Sequence, residues 1–142
     1  MNVFDTMQVL QSSLSAQRIR MNTTASNLAN AHTTRTQQGG PYRRKDPVFA
    51  ARAVGPGGAF TPFGRALDQV VVRDIQHDGS PPRMAHNPHH PDSNAEGFVA
   101  MPNVNMVEEM VNMLTASRSY EASISAWKSA TEMAEKALTL AS

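Results

Sequence analysis

The sequence contains no cysteine, which removes disulfides, thiolate nucleophiles and cysteine-ligated metal clusters together. No apolar run approaches the roughly 18 residues of a membrane span, so direct membrane insertion is not expected. The first thirty residues also lack the apolar stretch of a cleaved secretory leader, because Gln8, Gln11, Ser12 and Ser13 interrupt it. Nor is there an excess of one charge. Thirteen Lys and Arg stand against twelve Asp and Glu, a balance that gives no mandate for nucleic acid. Proline is missing from both ends of the chain, all nine lying between residues 31 and 102. At 142 residues there is room for one domain with a modest core, or for a small domain with extended arms.

The two proline-free ends keep helical time. Met7, Leu10, Leu14, Gln17, Met21, Thr24 and Leu28 step by three and four, with Val3 extending the seam backwards. This happens in spite of "RMNTTASNLANAHTT" (20–34), whose Asn, Ser and Thr compete for backbone hydrogen bonds and make a poor helix by propensity. The helix is expected to end near Asn30, a residue that tolerates the left-handed conformation of a helix C-terminus. The other end repeats the pattern more strongly. Asn105 with Glu108 resembles a capping box, and Glu108 and Glu109 suit the positive end of the helix dipole. From there Met106, Met110, Met113, Ser117, Tyr120, Ile124, Trp127, Thr131, Ala134 and Leu138 alternate steps of four and three. A second stripe, Val107, Val111 and Leu114, widens the face expected to be buried.

Between the arms the grammar changes. "VFAARAV" (48–54), "VVVRDI" (70–75) and "GFVAM" (97–101) read as strands, "GPGGAFTPFG" (55–64) as a flexible connection, and Asp78-Gly79-Ser80-Pro81-Pro82 as a turn. The expected fold is therefore mainly α with a small β-rich insert. An N-terminal helix occupies 1–31, the insert 32–102 and a C-terminal helix 103–142, the two helices pairing antiparallel as a coiled-coil-like hairpin.

Chemistry has few footholds. His86, His89 and His90 with Asp92 are transition-metal ligand types, but their spacing matches no established motif and a solvated loop is the competing reading. "YRRKD" (42–46) could touch phosphates or stack on a base; a solvated face or a protein contact reads the same residues. Ser117, Ser119, Ser123 and Ser125 have no histidine near them in sequence to act as base. No catalytic residue, metal site or cofactor is expected. The methionine-rich seam reads either as an adaptable binding groove or as helical core, and both need something to pack against.

"LSAQRIRMNTTASNLANAHTT" (14–34) resembles the N-terminal motif of flagellar rod, hook and related axial proteins, through Leu14, Gln17, Met21, Asn27, Leu28, Ala29 and Asn30. "HHPDSNAEGFVAMPNVNMVEEMVNM" (89–113), "SRSYEASI" (117–124) and "PYRRKDPVF" (41–49) narrow the resemblance to the flagellar basal-body rod protein family, in its proximal-rod branch. Ser123 stands where that family often has Asn, and 55–69 match nothing in it.

The resemblance implies a non-enzymatic structural subunit polymerising in the periplasm-spanning proximal rod, which transmits torque from the membrane ring to the distal rod and hook. It implies export by the flagellar type III pathway. The implied partners are other rod proteins, the junction with the membrane ring, and further copies in a helical assembly. Assembly contacts are expected at Leu14, Gln17, Met21, Asn27, Leu28, Asn30, Met106, Met110, Met113, Tyr120, Ile124, Trp127 and Leu138, with Asn27 making bonds that the free monomer does not need. The arms of the free monomer are expected to be largely disordered, because each seam lacks its neighbours. Another axial protein, a secreted helical binding module using the methionine seam, and a metal-dependent enzyme on the histidine loop are the alternatives.

Overall fold

The computed structural model describes residues 3–53 and 68–141. The connection expected at 55–64 lies outside them, as does most of 55–69. Helix α1 spans Val3–Ala29, strands β1 to β4 span Lys45–Ala53, Asp68–His77, Arg83–His86 and Phe98–Met101, and helix α2 spans Met106–Ala141. With 36 residues, α2 is about 54 Å long at the helical rise.

Helix α1 runs without interruption because nothing in it breaks a helix, and it stops where its hydrogen bonding tightens. Asn30 N donates to Ser26 O at 3.1 Å and Ala31 N to Leu28 O at 3.3 Å. Asn30 does mark the end, but not in the left-handed conformation expected of it: among the described residues only glycines have positive φ. Its amide caps the helix instead, Nδ2 donating to Ser26 O at 2.9 Å and Oδ1 accepting from Thr33 Oγ1 at 3.2 Å. The chain then reverses through Gly39 and Gly40, both at positive φ, where Thr36 N donates to Gly40 O.

Strands β1 and β2 pair antiparallel, with an irregularity between Val48 and Phe49 that sets Arg73 outside the register. This two-stranded sheet lies against α1, and Val70 N donates to Ser12 Oγ at 3.1 Å. The expected turn is present: the Asp78 carboxylate accepts from Ser80 Oγ and Ser80 N, bonds that hold its pKa below the usual value. Strand β3 has no counterpart in the sequence reading, since four residues between prolines show no alternation. It pairs with β4 in a second, separate sheet, so the insert holds two two-stranded antiparallel sheets.

The helices pack on each other and run antiparallel: Ser13 meets Ser123 at 3.3 Å and Asn27 meets Glu109 at 3.1 Å. The core is thin. Among the described residues the buried apolar ones are Ala16, Ala31, Tyr42, Val99, Ala116 and Ala130, and the largest fully buried side chains are Glu109, Val99 and Asn27. The accessible surface is 10206 Å², against about 7,200 Å² for a compact monomer of this mass.

Candidate assembly interface

On α1 the seam lies where its periodicity puts it. Met7, Leu10, Leu14, Gln17, Met21 and Leu28 are half-buried and Thr24 is buried. On α2 most of the seam does so. Met113, Ser117, Tyr120, Ile124, Trp127, Thr131 and Ala134 are half-buried, and Ile124 and Trp127 border a cleft with Gln11 and Leu14. The other inward row is Glu109, Ala116, Ser123 and Ala130, one residue before the 110, 117, 124, 131 row that apolar spacing selects. Alanine and serine let the helices approach closely, and they are invisible to a search for bulky apolar residues. Part of each seam thus finds its partner within one chain.

Turning α2 inward on its small residues turns its bulky ones outward. Met106 is 42% exposed, Val107 71%, Met110 50%, Val111 57% and Leu114 62%, positions that share one side of the helix over its first turns. The broad buried face expected of Val107, Val111 and Leu114 is thus a surface in the single chain. Leu138, also expected at a contact, is 72% exposed near the far end.

Asn27 requires the opposite correction. It is 1% exposed, and its bonds stay inside the chain. Nδ2 donates to Lys45 O at 2.8 Å and to Glu109 Oε2 at 3.1 Å. Oδ1 accepts from Tyr42 Oη at 3.0 Å and from Lys45 N at 2.9 Å. An asparagine that faces a β-edge backbone can satisfy both halves of its amide there, which removes any need for a neighbour. Glu109, also 1% exposed, accepts from Arg44 Nε at 2.6 Å. Arg44 in turn pairs with Asp46, and its backbone N donates to Asn103 Oδ1 at 2.9 Å. Burial alone would lower the pKa of the Arg44 guanidinium; hydrogen bonds and charge from Glu109 and Asp46 outweigh it and hold the pKa raised.

"YRRKD" is therefore not a solvated face. Tyr42 and Arg44 point into a joint where α1, the start of β1 and the first turn of α2 meet, Lys45 Nζ lies 5.7 Å from the Tyr42 ring centre, and Arg43 is exposed. Sequence reasoning missed Tyr42, Arg44 and Glu109. One signal was available: Glu109 stands at heptad spacing before Ala116, Ser123 and Ala130. The cap of α2 is half of the expected box, Asn105 Oδ1 accepting from Val107 N at 3.1 Å, while Glu108 is exposed. Gln17 lies between the helices with its Oε1 buried and unbonded. Ser123 supplies an interhelical bond: its proton goes to Ser119 O at 2.9 Å, which leaves Ser13 to donate to it.

The histidine loop is occupied with its own folding. His86 packs edge-on against Phe98, and His90 Nδ1 accepts from Asp92 N at 3.1 Å. Asp92 accepts from Thr34 Oγ1 at 2.8 Å, tying this loop to the end of α1. Among the described residues no three His, Asp or Glu side chains converge on a point that could hold a metal, and no helix is long and apolar enough to cross a membrane.

Residues 7–37, which carry α1 and the turn after it, match the family model described as flagella basal body rod protein. Residues 95–140, which carry β4 and α2, match that of flagellar basal body rod FlgEFG protein C-terminal. The whole chain is 41% identical to the flagellar basal-body rod protein FlgC of Borreliella burgdorferi, over 99% of this chain and 98% of that one. The chain belongs to the FlgC family of flagellar basal-body rod proteins. It is 39% identical to the FlgC of Escherichia coli O157:H7, over 99% of this chain and 96% of that one. It is 38% identical to the FlgC of Bacillus subtilis, over 99% of each. A FlgC-family chain is a structural component of the basal-body rod, and these relatives are named as rod proteins rather than as enzymes. Asn27 and Glu109 fall in the two matched segments, and Arg44, which joins them, falls between.

Proposed function

We propose that this chain is a proximal-rod subunit whose α1–α2 pair packs as a coiled-coil-like hairpin among neighbouring rod subunits and carries torque from the membrane ring toward the distal rod and hook. The observation that carries the reading is the outward apolar row of α2, Met106, Val107, Met110, Val111 and Leu114, all of it more than two-fifths exposed in the single chain. Each such side chain contributes about 1.5–3 kcal/mol when a neighbour buries it fully. Leu14, Gln17, Met21, Leu28, Met113, Tyr120, Ile124 and Trp127, half-buried already, complete their burial at the same contacts, with Asn30 and Leu138 at opposite ends of the hairpin. Unequal contacting faces build an open helical assembly rather than a closed ring. The rod so built spans the periplasm, its subunits exported by the flagellar type III pathway, and the role requires no catalysis.

The test is complementation of a strain lacking the chain with Val107→Asp and Val111→Asp together. Both side chains are exposed, so the free protein should keep its urea midpoint. Purified basal bodies should lack the variant and end before the distal rod. Normal motility with the variant present in basal bodies would refute the assignment of this face.

A further inference from the structure

The inward row of α2 is nearly self-similar. Glu109, Ala116, Ser123 and Ala130 recur every seven residues, and three of the four are small side chains that one position could exchange for the next at little cost. A helix pair packed on such a row has a second arrangement within reach, in which α2 slides by one heptad. Ala116 then faces Asn27, and Ala130 faces Ser13. A slide in the other sense would bring Pro102, before the helix begins, opposite Asn27. Apolar burial chooses only in part between the two available registers: the bulky residues of the first turns of α2 point outward, and a one-heptad slide puts Tyr120, Trp127 and Ala134 where the half-buried Met113, Tyr120 and Trp127 now lie.

Glu109 does distinguish them. It is the one charged member of the row, and it is 1% exposed. Its carboxylate uses one oxygen for Arg44 Nε at 2.6 Å and the other for Asn27 Nδ2 at 3.1 Å. Arg44 is placed by its own backbone bond to Asn103 and by β1, which starts at the next residue. Asn27 is placed by both backbone groups of Lys45. In the slipped register the guanidinium and the amide would face the methyl group of Ala116, and an abandoned buried ion pair is among the costlier defects a protein can carry. We propose that the Asn27–Arg44–Glu109 cluster is a register latch: it selects one heptad alignment of α2 on α1 and ties that alignment to the insert. A polar residue at one position of an otherwise permissive helical seam is a well-attested means of fixing register. This inference concerns the single chain and does not depend on which neighbours cover the outer face.

The absence of cysteine makes the register directly readable in the full-length chain. Ser13→Cys with Ser123→Cys reports the observed alignment, and Ser13→Cys with Ala130→Cys reports the slipped one. With the latch intact the first pair should cross-link in roughly a hundredfold excess or more over the second, given what an abandoned buried ion pair costs. Moving the glutamate by one heptad, Glu109→Ala with Ala116→Glu, should make the 13/130 pair dominant. Replacing the latch by apolar residues, Asn27→Leu with Arg44→Met and Glu109→Leu, should bring the two yields within about tenfold of each other while helical content persists, since such replacements commonly preserve folding. Persistence of the 13/123 excess in either folded variant would overturn the proposal. Loss of helical structure in both would overturn it too, because the cluster would then hold up the fold rather than choose its alignment.

Discussion

The two ends of the α1–α2 pair are built from the same helices and held in opposite ways. At the end near the insert, Thr23, Thr24, Asn27 and Glu109 are buried, and Tyr42 and Arg44, from the segment just before β1, bond to Asn27 and Glu109. At the far end Met133, Leu138 and Leu140 are 65%, 72% and 88% exposed. The near end is bonded on its inner side and carries its bulky apolar groups, Met106 to Leu114, on its outer side, whereas Met133, Leu138 and Leu140 lie exposed along the far end. Directional polar bonds specify one partner within the chain, whereas exposed apolar surface accepts whatever neighbour covers it. The near end therefore has one face held by bonds within the chain and another, from Met106 to Leu114, left for a neighbour to cover.

The contrast is broken most directly at Glu109. Glu109→Ala leaves the Arg44 guanidinium buried with half its partners gone and should lower the urea-measured stability of the free chain by about 3–5 kcal/mol. Asn27→Leu removes an amide that serves Tyr42 Oη, Lys45 N and Lys45 O, and should cost about 1–3 kcal/mol in the same measurement. If that variant were as stable as the parent and failed only in rod incorporation, Asn27 would return to the interface. Gly97→Ala sharpens the comparison at the edge of the insert. Its φ is +79° and a Cβ would stand 3.1 Å from Pro88 Cγ, so a loss of about 1–3 kcal/mol is expected, read by thermal melting. Leu138→Ala, at the far end, should stay within about 0.5 kcal/mol in the free chain and show its effect only as fewer intact rods. The smallest effect belongs to the exposed turn at Asp78. Its folded pKa is lowered from 3.8, so the turn's stabilisation is present above that value and is lost as pH falls below it toward the folded pKa. Asp78→Asn should remove this acid-limb dependence from a pH titration of stability and leave neutral pH little changed.

How far the sequence disclosed this molecule depended on what kind of side chain did the work. Long helices at both ends and three of four strands were legible because bulky apolar residues repeat at the helical or strand period. The direction in which α2 faces was legible past its first turns: Met113, Tyr120, Ile124 and Trp127 lie on both the expected and the observed seam, but Ala116, Ser123 and Ala130 carry too little hydrophobicity to register. The polar joint was not legible. Asn27, Arg44 and Glu109 are 17 and 65 residues apart in sequence, and nothing local says that a guanidinium in a basic cluster will find a carboxylate in the first turn of a distant helix. Residue type alone assigns all three to solvent, and only three-dimensional pairing makes their burial tolerable. The outward row of α2 was recognised as a row, yet its direction could not be read until the small residues had claimed the other side.

A core made chiefly of alanines, threonines and one ion pair also sets how the free chain answers to denaturant and heat. The slope of stability against urea and the heat-capacity change on unfolding both scale with the surface newly exposed, the apolar part above all. The large apolar side chains at the start of α2 and near its end are already in water before unfolding begins. The isolated subunit should therefore unfold over a broad urea range with a small heat-capacity increment for its length. The same chain locked among neighbours should unfold sharply, which makes calorimetric breadth a measure of how much of its surface the assembly has covered.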